Sequence, residues 1–327
     1  QLIDRFGRVV DYVRISVTDR CDFRCVYCMD EKMEFLPRER ILTLEELHKV
    51  AIAFTELGVR KIRLTGGEPL VRKDVLSLVE KLGKLPELEE LVITTNGSQL
   101  PSMAKSLREA GVKRLNISLD SLKADKFKSL TRTGDLQNVL KGIDSAIDAG
   151  FDNIKLNAVI LRNRNEDEVL DLVKYSGDKG LDISFIEEMP LGVIGDHDRA
   201  EAYYSSDQIK ADLENHYTLI PTPEKTAGPA KYFRVHETGT KVGFISPHSH
   251  NFCDDCNRVR LTVEGRLLLC LGQEHSVDLK QVLRSSPGDI DALKSAIVAS
   301  MEIKPKGHDF DLAEKPLIFR HMSHTGG

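Results

Sequence analysis

Along the first half of the chain, two rhythms of apolar and polar positions alternate. Short aliphatic and β-branched runs at 12–17, 61–65, 90–95, 114–119, 154–160 and 182–187 have the length and composition of buried strands. Between them, apolar residues recur at helical spacing over 43–57, 74–82, 101–110, 136–149 and 166–179. Thr43 with Glu46 has the form of a capping box, and Gly58, Gly111 and Gly150 stand where helices should stop. A strand and a helix repeated in this way predict right-handed crossovers and parallel strands, hence an α/β fold: an open or partial β/α barrel of six units with its helices outside. In such barrels chemistry gathers at the C-terminal ends of the strands.

After residue 187 the rhythm changes. Segments 189–206 and 221–229 mix Gly, Pro and polar residues and read as loops. Short strands are expected at 232–235, 241–245, 259–263 and 266–269, with Glu264-Gly265 as a hairpin turn. The expected division is a barrel over 1–218 and a C-terminal region over 219–327, the latter an appendage covering one barrel mouth.

Composition adds limits. With 41% hydrophobic and 30% charged residues in 327, the chain can bury a large core, which excludes global disorder. Forty-six Lys and Arg against 51 Asp and Glu give a net charge of -5. That balance argues against nucleic acid as the main partner but allows a local basic pocket for an anionic small molecule. No run approaches the roughly 20 apolar residues needed to cross a bilayer, and residues 1–8 are too polar for a signal peptide. The expectation is a soluble, cytoplasmic protein with no membrane partner.

The six cysteines fall into two groups of three, Cys21, Cys25, Cys28 and Cys253, Cys256, Cys270. A core this large needs no disulfide staples, and closely spaced cysteines favour metal ligation. Structural zinc closes its shell with four ligands, so three thiolates leave one position to fill. The CxxxCxxC run directly follows the first strand. Three soft thiolates there suit a four-iron cluster with one iron free for another ligand. After the second strand comes Thr65-Gly66-Gly67-Glu68-Pro69, in which paired glycines allow close backbone approach and a carboxylate can meet an ammonium group. For the second group, spacing alone leaves open both an iron-sulfur cluster and zinc completed by His248, His250 or His275. Arg258 and Arg260 follow Cys256 at i and i+2 of an expected strand, so their guanidinium forks share one face and suit phosphate oxygens or a purine edge.

CxxxCxxC with Tyr27 before its last cysteine, followed by Gly66-Gly67-Glu68-Pro69, resembles the radical S-adenosylmethionine (SAM) enzymes. Further pieces are similar to the GTP 3′,8-cyclase family of molybdenum cofactor biosynthesis within that superfamily. They are Arg14 to Cys21, Ile62 to Pro69, Thr94-Thr95-Asn96-Gly97, Asn116 to Asp120, Lys155-Leu156-Asn157, Phe185-Ile186-Glu187, the second cysteine set with its arginine pair, and a terminal Gly326-Gly327.

The resemblance implies a partial (βα)6 TIM-like barrel whose C-terminal appendage carries a second iron-sulfur cluster. It implies two [4Fe-4S] clusters, one on Cys21, Cys25 and Cys28 and one on Cys253, Cys256 and Cys270, with SAM contacted by Tyr27, Gly67, Ser118 and Met189. It implies GTP as substrate, held by Arg14, Arg63, Thr94, Lys155, Arg258 and Arg260, with the terminal glycines threading into the site. The activity would be a lyase reaction cyclising GTP, in which Arg14, Arg258 and Arg260 orient the substrate. Further implied partners are a downstream cyclic pyranopterin monophosphate synthase, a flavodoxin or ferredoxin as reductant, and a second copy in a homodimer. Two positions depart from the family pattern: Ser184 stands where an arginine is usual, and Asp30 where proline is usual.

Overall fold

A computed structural model of the chain describes residues 1–192, 194–224, 228–250, 252–308, 310 and 320–326. A short hairpin, β1 (Leu2–Ile3) and β2 (Val9–Val10), precedes six strands: β3 (Tyr12–Ser16), β4 (Lys61–Thr65), β5 (Glu90–Thr95), β6 (Arg114–Ser118), β7 (Asn153–Val159) and β8 (Asp182–Ile186). These six pair in chain order and all in parallel, as expected. Helices Leu44–Glu56, Val75–Leu82, Leu100–Glu109, Leu136–Asp148 and Val169–Asp178 make the crossovers. Thr43 caps the first of them, its side chain accepting from the Glu46 N–H while Glu46 accepts from Thr43. One further helix, Ala124–Thr131, follows β6; it is short and polar, and Phe127 and Leu130 alone among its aliphatic and aromatic side chains are buried.

Strand parity sorts the side chains. Val13, Ile15, Ile62, Leu64, Leu91, Ile93, Leu115, Ile117, Leu156 and Ala158 join the core beneath the helices. The alternate positions, among them Tyr12, Arg14, Lys61, Arg63, Thr94, Asn116 and Lys155, face the barrel lumen.

The C-terminal region departs from the expectation of a cap over one mouth. It extends the sheet at both edges. On one side β11 (Lys241–Ile245) pairs in parallel with β8, followed outward by β10 (Lys231–Val235) and β9 (Leu219–Pro221). On the other, β12 (Arg258–Leu261) pairs in parallel with β3, followed by β13 (Arg266–Leu268) and β14 (Ser276–Asp278). Among the described residues, the result is a sheet of twelve strands. Both edges of a six-stranded open barrel carry unpaired backbone groups, and β11 and β12 cover them while burying Val242, Phe244, Val259 and Leu261. The turn at Glu264-Gly265 forms as expected, with Gly265 at φ +79° and its N–H on Thr262. Within 189–206, expected as loop, Arg199–Ala202 forms a helical turn capped by Asp198, and the helix Ser206–Glu214 follows. Among the described residues, no helix is long and apolar enough to cross a membrane.

Candidate active site

The loop after β3 carries the first cysteines. It is held as a tight turn, Cys28 and Met29 donating backbone N–H to the Cys25 carbonyl, and it is docked on the end of the helix Ala124–Thr131 through Arg24 to Thr131 and Val26 to Leu130. Arg132, at φ +60°, reaches back to the carbonyls of Arg24 and Met29. The three thiols line one cavity. Burial pushes all three above the ordinary thiol range; Cys28 further raises Cys21, and Cys28 and Cys21 further raise Cys25. Burial holds Cys28 at about 11 against a backbone N–H from Ser323.

The GGEP segment lies against this loop. The Gly67 N–H donates to Thr18 and the Glu68 N–H to Arg20. A Cβ on Gly67 would stand 2.3 Å from the Arg20 carbonyl oxygen, so only glycine permits this approach. Glu68 is fully buried and accepts from the Thr95 hydroxyl at 2.9 Å, the Asn96 N–H at 2.6 Å and the Leu70 N–H. Burial pushes its carboxyl up to about 8 despite these donors. Tyr27, Gly67, Ser118 and Met189 all line the same cavity, and the Tyr27 hydroxyl donates to Asp120 at 2.6 Å.

Arg14, Arg63, Thr94, Lys155, Arg258 and Arg260 line it too. Sheet register explains the grouping: Arg260 is the cross-strand partner of Arg14, and Arg14 of Arg63. Arg63 donates from Nε to the Tyr12 hydroxyl at 2.5 Å and from Nη1 to Thr94 Oγ1 at 3.0 Å. Lys155 Nζ donates to the Tyr232 hydroxyl at 3.0 Å. Burial, then Arg260, depresses Arg14 well below the guanidinium range, and burial, then Arg258, brings Arg260 to about 10. Such crowding of like charge awaits an anion.

Sequence reading passed over Tyr12, Lys61 and Arg114, which line this cavity as well. Strand parity could have found Lys61, two residues before Arg63. Ser184 is fully buried beside Gly243 and is not part of the cavity lining, so the usual arginine has no counterpart at this position. Asp30 accepts from the Gly195 N–H.

The second cysteine set assembles from two segments, a single turn at Cys253–Asp255 leading to Cys256, and Cys270 just beyond β13. All three sulfurs face the same cavity as the first set. Burial raises Cys256, but Arg258 and Lys304 outweigh it and the thiol lies low; Cys270 is raised by burial. His248 and His250, considered as zinc ligands, are engaged with the Glu188 carbonyl and with Asp207 instead. His275 is exposed and outside the cavity lining. All six cysteines are free thiols. Among the described residues, no three His, Cys, Asp or Glu side chains converge tightly enough for a single ion. Three thiols of each set on the wall of one cavity fit a multi-iron cluster with an open position at either set.

The C-terminal tail enters the lumen. The turn Met322–Thr325 ends at Gly326, whose carbonyl accepts from Arg260 Nη1 at 2.6 Å. A Cβ on Gly326 would fall 1.7 Å from Thr65 Oγ1. Gly327 lies outside the described residues.

Residues 15–176 match the Radical SAM superfamily, and 181–310 match Molybdenum Cofactor Synthesis C. A Pseudomonas putida (strain W619) protein named GTP 3′,8-cyclase is 61% identical over 327 residues, covering 100% of this chain and 98% of that protein. The chain belongs to the GTP 3′,8-cyclase family. Relatives of the same name from Pseudomonas entomophila and Marinobacter nauticus are 60% and 58% identical over the full chain, covering 98% and 99% of those proteins. The fold of this family member is also similar to that of Streptococcus suis SuiB bound to S-adenosylmethionine, with a TM-score of 0.62 at 13% identity over 97% of this chain and 77% of that one. Membership in the GTP 3′,8-cyclase family brings [4Fe-4S] clusters and SAM as cofactors, and makes the chain a radical SAM enzyme of molybdenum cofactor biosynthesis.

Proposed function

We propose that the chain converts GTP to (8S)-3′,8-cyclo-7,8-dihydroguanosine 5′-triphosphate, the first step of molybdenum cofactor biosynthesis. The observation that carries this reading is the register row Arg260, Arg14, Arg63, which shares a cavity with both cysteine sets. Cys21, Cys25 and Cys28 would hold one [4Fe-4S] cluster, with Tyr27, Gly67, Ser118 and Met189 around SAM. Bound together, these cofactors supply one-electron chemistry that removes a hydrogen atom from a substrate carbon. Cys253, Cys256 and Cys270 would hold the second cluster, with an open position for the guanine base.

The chain's own part is binding and orientation. Arg14, Arg63, Lys155, Arg258 and Arg260 meet the triphosphate and base, and Thr94 fixes the fork of Arg63. Their mutual repulsion in the lumen is relieved by an anionic substrate, so part of the binding energy is stored before GTP arrives. Burial of Arg63, Arg258 and Arg260 keeps water from competing for these contacts. Residues 1–218 form the barrel in this reading and 219–327 the region of the second cluster and tail. A flavodoxin or ferredoxin would supply electrons in the cytoplasm. A cyclic pyranopterin monophosphate synthase would receive the product, and the enzyme would act as a homodimer.

The test is an anaerobic incubation of iron-reconstituted protein with SAM, reductant and GTP deuterated at C3′. Deuterium in 5′-deoxyadenosine together with a cyclised GTP product is the expected result. Deoxyadenosine formed independently of GTP and without deuterium would overturn the substrate assignment.

A further inference from the structure

Lys304 is 1% exposed, one of the most deeply buried charged side chains in the chain, and it lies far in sequence from every cysteine. Lysine is almost never fully buried without a partner. Here the ammonium donates to Cys256 Sγ at 3.6 Å and to the Leu269 carbonyl at 2.8 Å, one residue before Cys270. One ammonium therefore ties the two separate arms of the second cysteine set together. The residues after it touch the third sulfur: Gly307 sits so close to Cys253 that a Cβ would lie 3.2 Å from Sγ. Arg8, paired with Asp4 at 2.7 Å, locks this brace from the other side by donating to the carbonyls of Cys253, Pro305 and Lys306. Gln273 holds the Gly307 carbonyl at 3.0 Å. The first cysteine set has carboxylates as its charged neighbours, Glu68, Asp22 and Asp120, apart from Arg199 near Cys28.

We propose that Lys304 is a positioning residue of the second cysteine set, orienting Cys256 and, through its hydrogen bond to that sulfur, raising the reduction potential of the cluster held there. Hydrogen bonds to ligating sulfurs and nearby positive charge stabilise the more negative, reduced cluster. Among the described residues, an ammonium hydrogen-bonded to a sulfur sets the second cysteine set apart from the first. The proposal rests on Cys253, Cys256 and Cys270 holding a cluster.

Anaerobic, reconstituted holoprotein is compared with Lys304→Met, which keeps the length of the stem without charge or donor, and with Lys304→Arg, which keeps both. Iron and sulfide per chain and an EPR-monitored redox titration are read for each. The expected result is a fall in the second cluster's potential in Lys304→Met of at least tenfold in the reduction equilibrium, 59 mV for one electron. The first cluster should be unmoved, and Lys304→Arg should stay near the parent. Loss of the second cluster's iron in Lys304→Met but not in Lys304→Arg would equally support the positioning role. An unchanged potential at full iron content, or loss of that iron in both variants, would overturn it. Iron for only one cluster in the unsubstituted protein would sink the two-cluster reading instead.

Discussion

Arg258 and Arg260 stand where the strand added at one edge meets the founding strand of the barrel, both nine-tenths or more buried. Replacing either by alanine removes hydrogen bonds of a charged donor, worth about 1.5–3 kcal/mol each. A loss of at least tenfold in kcat/KM for GTP is expected, with SAM affinity unchanged by equilibrium binding. Arg260→Lys should also lose activity, because a point charge cannot replace a planar fork. Tyr12 gives a pH signature. Burial raises its phenol, but Arg63, Arg14 and Lys61 outweigh burial and bring it from 10.0 to about 7. A pKa lowered on folding means a proton is released on folding between about pH 7 and 10. The stabilisation is complete above pH 10 and is lost as pH falls through 7. Urea unfolding of the protein without GTP should therefore show stability rising across that window, and Tyr12→Phe should flatten the rise; an unchanged slope would contradict a phenolate in the lumen.

Two loops at the strand ends are zipped backbone to backbone, 18–20 against 66–68. Gly67→Ala drives a Cβ into the Arg20 carbonyl, and backbone cannot yield as a side chain does. The loops must part, so SAM affinity should drop by more than tenfold and the iron at Cys21, Cys25 and Cys28 should become labile to chelators, measured by iron release. A similar affinity and chelation rate to the parent would show that the loops tolerate separation. The six parallel strands and the capping box at Thr43 were legible from period and cap residues alone, because both follow from neighbours a few positions apart. The helix Ala124–Thr131 was not, because it is only eight residues long and Phe127 and Leu130 are its only large apolar side chains, too few to establish a period.

On the scale of the molecule, the C-terminal tail closes on the barrel it follows. Gly326 occupies φ +79° and packs on Thr65, while Arg260 holds its carbonyl. Gly326→Ala should expel the tail, lower GTP turnover at least tenfold and cost about 1.5–3 kcal/mol of unfolding free energy for the lost Arg260 hydrogen bond. Turnover at the parent rate would remove any role for the tail's close approach. The cationic lumen is likewise a whole-molecule property. Arg14 and Arg260 are 246 positions apart, and they meet because a strand late in the chain completes an early edge.

Strand parity, helix stops, the cysteine spacing and the glycines of the GGEP segment were decided by the sequence itself, because periodicity, chirality and steric freedom act over a few bonds. The tertiary structure alone decided which edges the later strands would cover, that both cysteine sets face one cavity, and that Lys304 reaches Cys256. Those outcomes depend on satisfying open strand edges and burying charge around a shared lumen, conditions that no local segment contains.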